Sequence, residues 1–145
     1  MSITSCYDAL RDTVATGISA KSKYTSIPIS PPQRLPAVIC MWRNTESESL
    51  AFSSKVGTKF ARNAMRRTHA FDVVVVIGQT GLTNDEDLAG RATAESLLNA
   101  IDNDTELGGV AKLASVLGIN QGLLEWDQQA FFTIRANVSV IEEVV

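Results

Sequence analysis

His69 is the only histidine in the 145 residues, and Cys6 and Cys40 are the only cysteines. A metal site built on one imidazole needs thiolates or carboxylates gathered around it, normally at short, regular spacings. No such grouping is visible near His69, and the two cysteines have no metal-ligand spacing. The sequence therefore predicts no metal and no cofactor. His69 reads as a structural histidine, and both thiols read as buried and reduced. No G-x-S-x-G nucleophile elbow is present. "VVVVIGQTG", from Val73 to Gly81, looks like a strand entering a phosphate loop, but it lacks the Gly-Lys-Ser/Thr ending that sets a lysine on phosphates. An enzyme is not predicted.

Charge is more informative. The net charge is only −3, but residues 1–72 carry 10 basic and 5 acidic residues, and residues 73–145 carry 3 basic and 11 acidic. Lys55, Lys59, Arg62, Arg66 and Arg67 fall in "KVGTKFARNAMRRTH", with no acid between Glu48 and Asp72. Three uses fit such a segment: a solvated face, a phosphate grip with steep salt dependence, or a protein–protein arm. Only Phe60 is interleaved to stack on bases, with no Tyr or Trp. The charge asymmetry favours the arm. Its expected partners are Asp85, Glu86, Asp87, Asp102, Asp104 and Glu106 of a neighbouring copy, in a front-to-back contact that closes into a ring where the rotation allows. Helix polarity and solvation also account for these acids.

The elements that must position these residues can be read from periodicity. Residues 5–19 form an amphipathic helix, with Tyr7, Leu10, Val14 and Ile18 on one face and Ser5 as its cap. Lys21 to Ser26 is polar, and "IPISPPQRLP" is an extended connector. Ala37 to Trp42 is a buried strand, "NTESES" a polar turn, and Leu50 to Val56 a further strand. Residues 59–68 fit helix or strand. From Ala70, "AFDVVVVIG" is strand. Thr83 caps a helix running to Asp102, with Glu86 three residues on and a stripe of Ala94, Leu97, Leu98 and Ile101. Val110 to Leu124 fits helix or strand: Val110, Leu113, Ala114 and Leu117 share a helical face, while Gly118 and Gly122 divide the stretch like a hairpin, and strand is preferred. From Phe132 the chain alternates apolar and polar as a half-covered strand. The order predicts an α+β fold, a mostly antiparallel sheet with helices packed on one face. One domain over 1–145 is expected, with a long loop or hairpin arm projecting at about 44–69. No secretory signal is visible and no run is long enough to span a bilayer, so a cytosol-like compartment is expected.

With that order laid out, the chain resembles the tail terminator, or tail-to-head joining, proteins of long-tailed bacteriophages. The resemblance is carried by "YDALRDTVATGI", by "LPAVICMWR" after the proline loop, by "RTHAFDVVVVIGQT" leading to "RATAESLLNAIDND", and by "TELGG" before "FFTIRANVSVIEE". It covers most of the chain through order and spacing. It implies a structural virion protein, assembled in the host cytoplasm, that forms a hexameric ring in the neck. Such a ring caps the completed tail tube, ends polymerisation and offers a surface to the head-side connector or stopper protein. Genome DNA passes through its lumen without sequence-specific binding, and no membrane is involved. The segment from Asn44 to His69 stands where the family often places an extended arm. Another neck protein, of head-completion or stopper type, is the near alternative. A small nucleic-acid-binding protein using residues 55–67 is the alternative of a different class.

Overall fold

The computed structural model describes residues 2–24, 28, 30–32, 34–49, 65–78 and 84–144. Helix α1 (Ile3–Gly17) is followed by β1 (Ser22–Lys23), β2 (Ala37–Ser49) and β3 (Met65–Gly78), then by helix α2 (Asn84–Asn103), β4 (Leu113–Trp126) and β5 (Gln129–Val144). The five strands form one sheet in the order β1-β2-β3-β5-β4. Only the β1–β2 contact is parallel. The fold is α+β with a mostly antiparallel sheet.

The described residues include one strand that the sequence does not announce. The strand expected at Leu50–Val56 lies outside the described residues, as do Thr83 and Lys55, Lys59 and Arg62. The first strand is Ser22–Lys23, in a stretch that reads as merely polar. It is fixed by backbone bonds, Lys21 N–H to the Pro36 carbonyl at 2.9 Å and Tyr24 N–H to the Val38 carbonyl at 3.2 Å. The Ser22 hydroxyl donates to the Arg34 carbonyl at 2.7 Å. A two-residue ladder leaves no hydrophobic signature to read.

Three further expectations are corrected. Ser2, not Ser5, caps α1: its Oγ accepts the Ser5 N–H at 3.1 Å, while Asp8 turns to Arg11. "NTESES" is not a turn. β2 runs through it to Ser49, opposite the basic start of β3, with Glu48 facing Arg66 and Glu46 facing Thr68. A bulge between Trp42 and Asn44 re-aims the strand at that point. Polar composition hid a strand whose partner supplies both the ladder and the opposite charge. Gly118 and Gly122 do not divide β4. Gly118 follows a bulge after Val116, and the strand turns only at Asp127 and Gln128. Both turn residues have positive φ, 53° and 64°, as the two-residue primed hairpin requires.

Side-chain alternation explains the two faces. Val38 and Cys40 of β2, Phe71, Val73 and Val75 of β3, and Phe132, Ile134, Ala136, Val138 and Val140 of β5 form one core with Cys6, Leu10 and Val14 of α1 and Leu97 and Ile101 of α2. Both helices therefore lie on one face. The opposite face carries a smaller cluster of Ala37, Ile39, Val74, Val76 and Phe131, with no helix residue in it. Burial on both faces accounts for the unbroken run Val73–Val76. Close approach of the layers depends on two glycines. A Cβ at Gly17 would stand 2.3 Å from the Cβ of Ala100, and one at Gly90 would stand 2.6 Å from Cζ of Phe132.

Candidate assembly surface and a sealed polar cluster

The β3 register places the two described arginines of the basic segment inside the sheet. Arg66 pairs with Glu143 across β5, Nη2 to Oε1 at 3.1 Å, and lies opposite Glu48 on β2. Arg67 approaches Glu142, Nη1 to Oε1 at 4.0 Å. Their acidic partners come from the second half of the chain, as the charge asymmetry suggests. They are partners within one chain, however, and not among the six acids expected.

Those six acids form two groups. Asp85, Glu86 and Asp87 sit in the first turn of α2, where the positive end of the helix dipole favours them. Asp87 is engaged, with Arg91 Nε at 3.2 Å and the Gln121 side-chain amide at 3.2 Å. Asp102 lies in the last turn, and Asp104 and Glu106 follow it. Asp104 accepts the Gly108 N–H at 3.0 Å and shapes the turn that buries Leu107. The helix between Asp87 and Asp102 holds the two groups about 23 Å apart. They do not make one patch.

The strands present two open edges. β1 covers only Ala37 and Val38 of β2, and among the described residues nothing pairs with the outer edge of β2 from Ile39 to Ser49. The outer edge of β4 is held at its start, where the Ala114 N–H donates to the Thr105 carbonyl at 2.7 Å, and beyond that no strand pairs with it among the described residues. β4 has a single charge, Glu125, and no proline, so the bulge after Val116 is left to blunt the edge. Leu117, at the bulge, is 73% exposed, and Leu113 and Leu123 are also exposed. On the helix-free face, Ile39, Met41, Val74, Leu124, Trp126 and Arg135 line an open, largely apolar groove of about 300 Å³.

A second arrangement was not legible in the sequence. His69 Nε2 lies 2.8 Å from Glu142 Oε1, and both side chains are fully buried. The Thr45 hydroxyl is 2.7 Å from His69 Nδ1, and Trp42 Nε1 donates to that hydroxyl at 2.9 Å. Cys6 Sγ–H points at Glu142 Oε2 from 4.0 Å. The register makes the cluster. Thr45 lies opposite His69, and Glu142 is two residues beyond Val140, the β5 partner of His69, on the same face. Cys6 descends from α1. Burial, then the charge of Glu142, pushes the Cys6 thiol up to about 11, so it stays protonated. Burial pushes Cys40 to about 12. A signal was available: Ile134, Ala136, Val138 and Val140 alternate toward the core, and Glu142 is the next position in that series. A carboxylate there needs a buried partner.

Near the first helix, Arg11 is buried and reaches Asp8 at 3.3 Å and Asp12 at 3.0 Å, and Lys23 closes on Asp12 at 2.9 Å. The hydrogen bond from Lys23, then that from Arg11, holds the Asp12 carboxyl below the ordinary carboxylate range against the opposing effect of burial. This ties α1 to β1. Among the described residues no helix is long and apolar enough to cross a membrane. No known family model matches the chain, and no match was found for it among curated proteins.

Proposed function

We propose that the chain is a ring-building structural protein of the phage tail-terminator type. It assembles side by side into a hexamer, caps a completed tail tube, ends its growth and offers its other face to the head-side connector. The observation that carries this reading is the pair of open sheet edges. β2, β3, β5 and β4 alternate in direction, so β2 and β4 run oppositely. Rotation about an axis roughly along the strands keeps each direction. The β4 of one copy then meets the β2 of the next in antiparallel sense. Such a heterologous contact repeats and closes into a ring when the rotation is an integral fraction of a turn.

Two observations support assembly over the other classes. The titratable cluster around His69 is sealed from solvent, which suits no reaction on a diffusing substrate. Arg66 and Arg67 are already paired with Glu143 and Glu142, which weakens a phosphate grip built on the segment 55–67. Lys55, Lys59 and Arg62 remain candidates for contact with a neighbour, the tube or DNA in the lumen.

Tail length in phage particles assembled without the protein tests the role. Overlong tails support a terminator. Tails of normal length, with heads that leak DNA, indicate a stopper or head-completion protein and overturn the terminator role.

A further inference from the structure

We propose that Cys6, His69 and Glu142 bind a divalent transition metal ion of the zinc class, which clamps α1 to β3 and β5. The three donors belong to three different elements, are all buried, and lie within 4.8 Å of one another. Thiolate, imidazole and carboxylate are the three ligand types that zinc takes from proteins. Nε2 of His69 and Oε1 of Glu142 are 2.8 Å apart, and Sγ of Cys6 and Oε2 of Glu142 are 4.0 Å apart. A tetrahedral zinc ion with ordinary bond lengths separates nitrogen and oxygen donors by about 3.3 Å and sulfur and oxygen donors by about 3.5 Å. These two separations are reached by shifts of about half an ångström, and the Cys6 and His69 donors, within 4.8 Å of each other, must stand about 3.6 Å apart.

The surroundings also suit a ligated imidazole. When Nε2 binds metal, Nδ1 carries the proton and needs an acceptor. The Thr45 hydroxyl stands 2.7 Å away, held in place by the indole N–H of Trp42. Charge balances as well. On binding, Cys6 gives up its thiol proton to solvent, and the thiolate and the Glu142 carboxylate together neutralise the dication. The occupied site is then neutral. Arg67 is the one cation facing the cluster among the described residues, 4.0 Å from Glu142 and at its rim. The site does not depend on ring assembly.

The full-length protein, expressed with zinc supplied, decides the matter. Elemental analysis is expected to give about one zinc per chain. Exchange for cobalt(II) is expected to give a near-ultraviolet thiolate-to-cobalt band. Cys6→Ser should abolish that band and Cys40→Ser should keep it. A folded wild-type protein with zinc well below one per chain, and no thiolate band on cobalt addition, overturns the proposal. So does a band that survives Cys6→Ser and vanishes with Cys40→Ser. Should Cys6→Ser fail to fold, the wild-type zinc content and cobalt spectrum decide alone.

Discussion

His69 of β3 and Glu142 of β5 meet at 2.8 Å in the core, with neither side chain open to solvent. A buried pair of this kind costs more to break than to omit. Glu142→Ala is expected to lose about 3 kcal/mol of stability, because His69 then keeps an unmatched ring nitrogen. The pair replaced together, as His69→Leu with Glu142→Leu, should lose less than the sum of the single losses. Urea unfolding of the four proteins in a double-mutant cycle measures this. Additive losses would show that the two side chains are not coupled.

Gly17 and Ala100 set the distance between the helices. Gly17→Ala places its new methyl 2.3 Å from the Ala100 Cβ, so the helices must part. A loss of about 1–3 kcal/mol is expected. Ala100→Gly in the same chain should restore part of it. Thermal unfolding of the single and double variants reads the rescue, and no rescue would place the cost elsewhere.

Asp12 gives the pH dependence a sign. Its folded carboxyl is held below the ordinary range by Lys23 and Arg11, so the unfolded chain takes up its proton first as pH falls. The stabilisation is full above the unfolded value, about 3.9, and is lost as pH falls through the folded value. Asp12→Asn should therefore unfold at a lower temperature than wild type at pH 7, and the gap should narrow below about pH 4. Asp12 is half exposed, which keeps the effect small. A gap that widens in acid contradicts the assignment.

Much of the fold is legible where one face of an element is buried. The stripe of Leu97 and Ile101, the run Val73–Val76 and the alternation from Phe132 each follow from burial, and the sequence shows that directly. "NTESES" misleads because its strand is held by a partner rather than by a core. Ser22–Lys23 misleads because a two-residue ladder held by hydrogen bonds and one ion pair carries no apolar pattern. The cluster of Cys6, His69 and Glu142 joins residues 73 and 136 positions apart, which the β3–β5 register and the packing of α1 on the sheet bring together. The pairing of Arg66 with Glu143 has the same origin, and it redirects the assembly argument from a charged arm to the sheet edges.

Leu117 is the point where an edge-to-edge ring is most easily prevented. It lies at the β4 bulge and is 73% exposed, so Leu117→Lys should leave the subunit folded while placing a charge at the contact. Mass photometry or sedimentation of both proteins, alone and with purified tails, tests the account most directly. Wild type is expected to form particles of six times the 15.6 kDa subunit, alone or on tail ends, with six-fold symmetry in negative stain. Leu117→Lys should remain a folded monomer that leaves tails uncapped. A wild-type protein that stays strictly monomeric and never binds tails, or a Leu117→Lys protein that forms the same rings, would contradict it.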